Sequence, residues 1–249
     1  MTDNAKIIAS GAKALGINEG DTVLMHSSLK SLGRGFTPSD VIEGLLAALG
    51  EEGTLVLPAL SYLNCNASNP VFDYYGTKSN VGAIPEYFRT SVPGVIRSVN
   101  PTHSCCALGK NAEYLTSGHI LDETPCGLNS PFRRLMLIGG KILFLGCGTE
   151  PNTSMHAVEE LAVPDYLFGD VVEYKAILAD GSEKKIYCRA HWFKNVVQRY
   201  DRLEKLLPNG SIRAGYIANA DCRLISTPEM WETALAKYRE NPHYFVDIY

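Results

Sequence analysis

The chain has 249 residues, of which 45% are hydrophobic and 20% charged, a composition typical of a globular protein and too apolar for a disordered one. Its 23 Lys and Arg against 27 Asp and Glu leave a net charge of -4, which argues against a nucleic-acid-binding domain, since such a domain usually has a basic face. A chain of this length can bury a large core and can form one large domain or two small ones. Without an internal repeat or a polar linker in the sequence, we expect one domain over residues 1–249.

No stretch of the sequence reaches the roughly 18 consecutive apolar residues that a membrane span requires. The first residues also lack the basic and apolar regions of a signal peptide. The seven cysteines are odd in number and show no dense spacing, and none forms a C-x-x-C pair. We therefore expect a cytoplasmic protein with reduced thiols that binds no metal and no membrane.

The first two thirds of the chain alternate short apolar strands with helices, a pattern that favours α/β layers. The predicted helices cover residues 5–15, a segment from Thr37 or Ser39 to Leu49, 81–89, 112–117 and 130–137, and another begins near Asn152 or Thr153. The predicted strands among them are 21–26, 53–57 and 141–145. The polar segment 61–80 is long for a connection, which indicates either a functional loop or one ordered by its own packing.

The last third of the chain has a different pattern. Residues 171–178 and 184–189 flank Asp180 and Gly181, a strong signal for a β-hairpin with a two-residue turn. A helix over 193–207, a strand over 210–217 and a helix over 228–240 are predicted after it. The hairpin predicts that the sheet is mixed rather than wholly parallel.

The segment 143–160 is the most informative for chemistry. A buried strand ends there in glycines and a helix follows at once, and such strand ends are where layered α/β proteins bind ligands. His156 and Glu159 are three residues apart on this helix, so their side chains can touch. A carboxylate beside an imidazole fixes its tautomer and raises its basicity, as a general base requires. An ordinary surface His–Glu pair is the alternative.

Two further segments follow predicted strands or turns. Residues 26–35, His-Ser-Ser-Leu-Lys-Ser-Leu-Gly-Arg-Gly, can present backbone N–H groups to phosphate oxygens or can form a plain turn, but they match neither the P-loop nor the dinucleotide motif. Residues 97–104, Arg-Ser-Val-Asn-Pro-Thr-His-Ser, contain a turn signal at Asn-Pro. His103 and Ser104 are there either ligand contacts or satisfied polar groups of a loop.

Other chemistries fit the sequence less well. A Ser–His hydrolase of the α/β type lacks its G-x-S-x-G turn. A nucleophile at Cys105 or Cys126 stays open, although buried small cysteines are commoner than reactive ones. A mononuclear metal site of His26, His103 and His156 needs three loops to converge, and we expect none.

Taken together, these segments resemble the aminoglycoside 3-N-acetyltransferase family, whose enzymes use acetyl-CoA and are unrelated to the GNAT fold. The likeness runs in order from about residue 16 to residue 238, and the joint order and spacing make it specific although each motif alone is weak. The matching motifs are His26-Ser-Ser-Leu-Lys-Ser-Leu-Gly33, Gly53-Thr-Leu-Val-Leu-Pro58, Phe72-Asp73, Val81-Gly-Ala-Ile-Pro-Glu-Tyr-Phe-Arg89, Pro93-Gly-Val-Ile-Arg-Ser-Val-Asn-Pro-Thr-His-Ser104, Asn129-Ser-Pro-Phe-Arg-Arg-Leu135 and Asn152-Thr-Ser-Met-His-Ala-Val-Glu159.

The resemblance implies a single layered α/β/α domain whose central mixed sheet includes a C-terminal hairpin. It implies acetyl-CoA as the acetyl donor and an amine, in this family the 3-amino group of an aminoglycoside, as the acceptor. It places His156 on the catalytic histidine and Glu159 on its acidic partner, with direct transfer and no enzyme nucleophile. The predicted cofactor contacts are Ser27, Ser28, Leu29, Thr102, His103 and Ser104.

The acceptor is the least defined part of this prediction. A polycationic antibiotic needs a wall of carboxylates, and Asp73 and Glu86 are the predicted substrate contacts. Residues 188–192, Cys-Arg-Ala-His-Trp, stand where members of the family that modify aminoglycosides tend to have acidic residues. A sugar amine in surface-polysaccharide or natural-product biosynthesis is therefore the alternative acceptor, and a non-catalytic CoA-binding protein is the alternative of another class. A small-molecule amine is the only partner that we expect.

Overall fold

The computed structural model describes residues 1–249. Its strands are β1 (Thr22–Ser27), β2 (Thr54–Pro58), β3 (Val71–Asp73), β4 (Ile96–Arg97), β5 (Cys105–Gly109), β6 (Lys141–Leu145), β7 (Phe168–Ile177), β8 (Glu183–His191), β9 (Val196–Gln198), β10 (Ile212–Ile217), β11 (Ala220–Ser226) and β12 (Val246–Ile248). Its α-helices are α1 (Asp3–Leu15), α2 (Pro38–Leu49), α3 (Ala83–Ser91), α4 (Ala112–Thr116), α5 (Pro131–Leu137), α6 (Ser154–Ala162) and α7 (Thr227–Glu240).

Seven strands form a central mixed sheet in the order β10-β11-β6-β1-β2-β5-β4. β1 lies at its centre and pairs in parallel with both β2 and β6, whereas β5 and β11 add antiparallel neighbours on either side. Because β1 and β6 are parallel neighbours, their carboxyl ends meet at one edge of the sheet, where Ser27 is opposite Leu145. The loops that follow these two strands are therefore adjacent in space.

Two helical layers cover the faces of this sheet, which confirms the predicted α/β layers. Alternate residues of a strand point to opposite faces, and Val23 and Met25 accordingly pack with the core beneath α1, α2 and α3. Leu24 points the other way, into the core formed with α5, α6 and α7. Each core contains more than twenty buried residues, so both faces of the central strands are dry.

Local capping explains where two of the predicted helices begin. Thr37, rather than Ser39, caps α2, since its hydroxyl accepts from the Asp40 N–H while the Asp40 carboxylate accepts from the Thr37 N–H. Ser130 caps α5 by accepting from the Arg133 N–H. Both helices continue with proline at their first position, where a missing N–H costs nothing.

The hairpin at Asp180 and Gly181 forms as predicted, as β7 and β8, but it does not join the central sheet. It pairs with β3 in a separate three-stranded sheet with its own small core around Phe72, Tyr174 and Cys188. The C-terminal hairpin of the central sheet is instead β10 and β11, and the strand β11 was not predicted.

The predicted helix over residues 193–207 is wrong. Phe193 and Asn195 have φ of 49° and 56°, in the left-handed region that an α-helix excludes. The next residues form β9, which pairs with β12 near the end of the chain, and only a short 3-10 helix at Tyr200–Lys205 follows. The Val-Val pair at 196–197 suits a strand better than a helix because its side chains are branched at Cβ.

The long segment 61–80 is ordered by a buried arginine. The Arg97 guanidinium, 4% exposed, donates to the carbonyl oxygens of Tyr74 (3.0 Å), Thr77 (2.7 Å) and Ala59 (3.3 Å) and lies 4.7 Å from the centre of the Phe72 ring. Burial lowers the pKa of this guanidinium to about 10. The segment is thus a packed connection whose backbone carbonyl groups bind one buried cation. Separately, no helix of the structure has the length and apolar character of a membrane span.

Replacing Arg97 by Met removes these donors and leaves buried carbonyl oxygens without partners. We expect Arg97→Met to lower the free energy of unfolding by about 3 kcal/mol, measured by urea denaturation. Arg239→Met is the matched control, because Arg239 is exposed on α7 and should change stability by less than about 0.5 kcal/mol. Equal midpoints for the two variants would contradict this role of Arg97.

Candidate active site

A cavity of about 790 Å³ opens at the carboxyl ends of β1 and β6, within the size range of small-molecule sites. Its walls come from the end of β1, residues 58–67 and 81–85, the loop before β5, the segment 147–156, the strands β7 and β8, and residues 193–200. The polar side chains on these walls include those of His26, Ser27, Thr102, His103, Glu150, Asn152, His156, Tyr174, His191 and Tyr200. The position agrees with the rule that layered α/β proteins bind ligands at strand ends.

A glycine lets β6 pass directly into the helix that borders the cavity. Gly146 has a φ of 66°, and a Cβ built on it would lie 1.8 Å from the Ser31 Oγ and 3.0 Å from the Ala220 Cβ. Any side chain here would push the β6–α6 loop away from the loop that follows β1. The close approach places the first turn of α6, and with it His156, on the cavity wall.

His156 and Glu159 are paired as their spacing predicts. The His156 Nδ1 lies 3.0 Å from a Glu159 Oε2, and the Glu159 side chain is fully buried while that of His156 is 13% exposed. Three phenols from other segments donate to the same carboxylate: Tyr200 at 2.7 Å, Tyr238 at 2.9 Å and Tyr166 at 3.0 Å. This carboxylate has therefore lost water and gained four protein donors.

The hydrogen-bond partners of the His156 Nδ1 determine which nitrogen of the ring bears the proton. Tyr200 gives its hydroxyl proton to Glu159 and lies 2.9 Å from the His156 Nδ1, so that nitrogen faces two acceptors and bears the proton. Burial and the Glu159 charge raise the pKa of the Tyr200 and Tyr238 phenols well above the usual range, and both stay donors. The His156 Nε2 is left with a lone pair, which suits it to accept a proton from a ligand.

Three imidazoles cluster at the cavity. The rings of His103, His156 and His191 have centroids 5.1 to 5.6 Å apart, and Phe193 packs 4.9 Å from His156 and 5.3 Å from His191. The His191 Nε2 lies 2.8 Å from a Glu160 oxygen, and the His103 Nδ1 lies 2.9 Å from the Thr102 hydroxyl. Burial lowers the pKa of both His103 and His191, which favours neutral rings.

His26 also borders the cavity, next to Ser27 at the end of β1. Its ring stacks on Phe144, its Nε2 has no partner, and burial lowers its pKa to about 3. Although His26, His103 and His156 all reach the cavity, no group of three His, Cys, Asp or Glu side chains in the chain is arranged to hold a metal ion.

The residues predicted to contact the cofactor divide into two sets. Ser27, Thr102 and His103 border the cavity, and the buried Ser27 Oγ has no hydrogen-bond partner. Ser28, Leu29 and Ser104 do not border it. Ser28 donates its N–H to Leu145 and accepts from the Ser31 hydroxyl, Leu29 begins a 3-10 turn packed on the core, and Ser104 links Arg97 to Ala59. These three residues shape the loops rather than line the cavity.

The predicted acceptor contacts Asp73 and Glu86 do not border this cavity. Asp73 accepts from the N–H groups of Tyr75 and Gly76 in its own turn, at 2.9 and 2.7 Å. Glu86 is held by Arg89 at 2.6 Å and by the Ser79 N–H at 2.9 Å. Both carboxylates thus help to order the segment 61–80. Among the residues that border the cavity, the only carboxylate is that of Glu150.

The two cysteines considered as nucleophiles are also elsewhere. Cys105 and Cys126 are fully buried and do not border the cavity. Burial raises the pKa of both thiols well above the usual range, which makes the reactive thiolate scarce.

Sequence reasoning missed most of the residues that support the His156–Glu159 pair. Tyr166, Tyr200 and Tyr238 come from three separate segments, and nothing in their local sequence distinguishes them among 13 tyrosines. The sequence predicts no role for His191, which lies in the segment 188–192 where family members that modify aminoglycosides tend to have acidic residues. The adjacency of Glu159 and Glu160 was the one available signal, because two neighbouring carboxylates within an apolar helix require partners.

Comparison with known proteins gives one consistent family. A family model described as aminoglycoside 3-N-acetyltransferase matches residues 24–239. The aminoglycoside N(3)-acetyltransferase VII of Streptomyces paromomycinus is 32% identical over 223 residues, which cover 82% of this chain and 75% of that protein.

Solved structures agree with this result. The structure of AAC-IIIb binary with CoASH has a TM-score of 0.81 and 25% identity to this chain, over 95% of this chain and 96% of that one. A histidine-to-alanine mutant of AAC(3)-IVa in complex with a gentamicin has a TM-score of 0.76 and 27% identity, over 97% of this chain and 90% of that one.

The buried imidazoles predict that acid destabilises the fold. His26 and His119 have pKa values of about 3 and about 4 in the folded chain, both lowered chiefly by burial. The unfolded chain takes up these protons near pH 6.5 but the folded chain does not, so stability is complete above about pH 6.5 and falls as the pH drops toward 4. Each ring contributes roughly 1.4 kcal/mol per pH unit in this window.

Urea unfolding between pH 7.5 and 5 measures this slope. His26→Phe retains the stacking on Phe144 but removes one imidazole, so its stability should fall with acid by roughly 1.4 kcal/mol per pH unit less than that of the parent chain. Identical slopes for the two proteins would show that His26 is not held neutral.

Proposed function

We propose that this chain, which belongs to the aminoglycoside 3-N-acetyltransferase family and is an acyltransferase, moves the acetyl group of acetyl-CoA onto the 3-amino group of an aminoglycoside, with His156 as the general base. The observation that supports this most is the His156–Glu159 pair on the cavity wall, from which we infer a proton on Nδ1 and a free lone pair on Nε2. The CoASH bound by AAC-IIIb and the gentamicin bound by the AAC(3)-IVa mutant support the choice of substrates.

The cavity has groups that suit an elongated donor with polar and apolar parts. The Ser27 Oγ and the Asn152 Oδ1 are buried without partners, so the hydroxyl can donate or accept a hydrogen bond with a ligand and the amide oxygen can accept one. Met25, Pro58 and Leu60 form an apolar wall beside them. Bound here, acetyl-CoA supplies a thioester carbonyl carbon for the amine to attack.

Each residue then has a definite task. The His156 Nε2 removes a proton from the amine as the amine nitrogen bonds to the carbonyl carbon. His156 then passes this proton to the CoA sulfur, which leaves as the thiol. Glu159 stabilises the imidazolium that forms, since its carboxylate is 3.0 Å from Nδ1. Tyr166, Tyr200 and Tyr238 hold Glu159 in place, and the buried surroundings strengthen these interactions.

His156→Ala tests this assignment. The variant should lose roughly 10²–10⁴-fold in kcat because the general base is absent, whereas its affinity for CoA should be nearly unchanged. Stopped assays of CoA release measure the first quantity, and titration calorimetry with CoA measures the second. His243→Ala is the control, because the His243 side chain is 41% exposed and pairs with Asp165 rather than with the cavity residues. A His156→Ala variant with parental turnover would remove His156 from the mechanism.

The charge of the cavity favours a second candidate, transfer to an amino sugar with a single amine. A polycation is drawn by clustered carboxylates, but Glu150 is the only one on the cavity walls. Residues 188–192 contribute no carboxylate to the cavity, and the side chain of His191 lies on its wall. The same His156 chemistry applies to both acceptors.

CoA release over a panel of amines separates the candidates. If the acceptor is an aminoglycoside, turnover should occur with gentamicin and kanamycin, and Glu150→Gln should raise KM for them several-fold because one of few attractive charges is lost. Turnover only with single-amine sugars, at a KM insensitive to Glu150→Gln, would select the second candidate. Binding of CoA without release on any amine would favour a non-catalytic CoA-binding protein.

A further inference from the structure

A second imidazole–carboxylate pair borders the same cavity. The His191 Nε2 lies 2.8 Å from an oxygen of Glu160, and both side chains are 2% exposed. Glu160 also accepts from the Cys126 N–H at 2.7 Å and from the Thr124 hydroxyl at 2.5 Å. An ionised Glu160 carboxylate can only accept hydrogen bonds, so the His191 Nε2 must be the donor and bear the ring proton.

The other nitrogen of His191 has nothing to bind within the chain. Its Nδ1 is buried, has no hydrogen-bond partner and belongs to a ring on the cavity wall. The centroids of the His191 and His156 rings are 5.4 Å apart, and Phe193 packs against both. Both rings thus border the same part of the cavity, and a substrate nitrogen bound beside them is the group that their free ring nitrogens are placed to meet.

The reaction itself has two protons to remove. An alkyl amine is an ammonium ion at neutral pH, and an ammonium ion has no lone pair with which to attack a carbonyl carbon. One proton must leave before the attack and a second as the C–N bond forms. A single base must release the first proton before it takes the second, whereas two bases can take them in succession.

We propose that His191, backed by Glu160, takes the first proton from the bound ammonium ion, and that His156, backed by Glu159, takes the second. This inference rests on the proposed function and assigns a further catalytic residue to it. His103 is not the second base, because its Nδ1 is bound to the Thr102 hydroxyl and no carboxylate backs its ring.

The steps balance as follows. The ammonium group R–NH3⁺ passes one proton to the His191 Nδ1 and becomes R–NH2. Its nitrogen attacks the thioester carbon, the C–N bond forms, the C–S bond breaks, and the second proton moves through the His156 Nε2 to the departing sulfur. The products are the amide and CoA thiol, and the proton on His191 returns to water when the cavity empties.

The electrostatics around His191 keep its ring neutral before the amine binds. Its titratable neighbours are Glu160, Glu159 and His156 on α6 and His103 on the loop before β5, with Arg133 of α5 beyond Glu160 at 3.9 Å. Burial lowers the pKa of His191, while Glu160 opposes that shift. An ammonium ion among these neutral rings also loses hydration, which lowers its own pKa and makes it a better proton donor.

The pH dependence of kcat/KM tests this in His191→Gln. A Gln amide can still donate to Glu160 but offers no basic lone pair. The parent enzyme should bind the ammonium form, so its kcat/KM should stay nearly level between the pKa of the acceptor amine and about pH 7. The variant should use only free amine, so its kcat/KM should fall about tenfold per pH unit below that pKa and approach the parent value above it.

Tyr187→Phe is the matched control on the same strand. Tyr187 is half exposed and its hydroxyl donates only to Glu173, so this variant should follow the parent profile. A His191→Gln deficit that is the same at every pH would overturn the proposal, since a merely structural role lowers activity without changing the profile.

The parent enzyme alone provides a second measurement, should the variant fail to fold. Its kcat/KM should decline little below the amine pKa for two acceptors whose amine pKa values differ. A tenfold fall per pH unit that begins at each amine's own pKa would overturn the role of His191 while leaving acetyl transfer intact. Absence of turnover with every amine would instead overturn the proposed function, and the role of His191 with it.

Discussion

The buried carboxylate of Glu159 is the constraint on which the rest of the site depends. An ionised carboxylate without water costs several kcal/mol unless protein donors replace its hydration. Helix α6 supplies only His156, so the other three donors must come from Tyr166, Tyr200 and Tyr238, which the chain brings from the loop after α6, a 3-10 helix and α7. The folding of the C-terminal third around α6 is thus what fixes the orientation of the His156 ring.

Glu160 extends the same constraint to the next residue. Adjacent residues of a helix point about 100° apart, so the two carboxylates need separate sets of partners. Those of Glu160 are the Cys126 N–H, the Thr124 hydroxyl and His191 on β8. The His191–Glu160 hydrogen bond therefore joins the accessory sheet of β3, β7 and β8 to α6, and this sheet brings Tyr174 and His191 to the cavity wall.

The sequence predicted the parts of this arrangement that are local. The strand–glycine–helix pattern around Gly146, a cap of α2 at Thr37 or Ser39 and the facing of His156 and Glu159 all depend on residues within one or two turns of each other, and the structure selects Thr37. The tyrosines and His191 could not be predicted, because each reaches α6 from a distant segment with no local signature. The helix predicted over residues 193–207 does not form, because Phe193 and Asn195 have a left-handed backbone that the sequence pattern did not reveal. Asp73 and Glu86 were predicted as acceptor contacts because they are acidic. In the structure the Asp73 carboxylate accepts from the Gly76 N–H, and the Glu86 carboxylate pairs with Arg89.

The central claim is that Glu159 keeps the proton of His156 on Nδ1 and so leaves Nε2 as a base. The ¹⁵N chemical shifts of the His156 ring measure this directly, at about pH 8.5, where an ordinary imidazole is neutral. The account predicts a protonated Nδ1 and an unprotonated Nε2 in the parent chain, with this preference weakened in Glu159→Gln. A proton on Nε2 in the parent chain would contradict it, because that nitrogen could then no longer accept a proton from the amine.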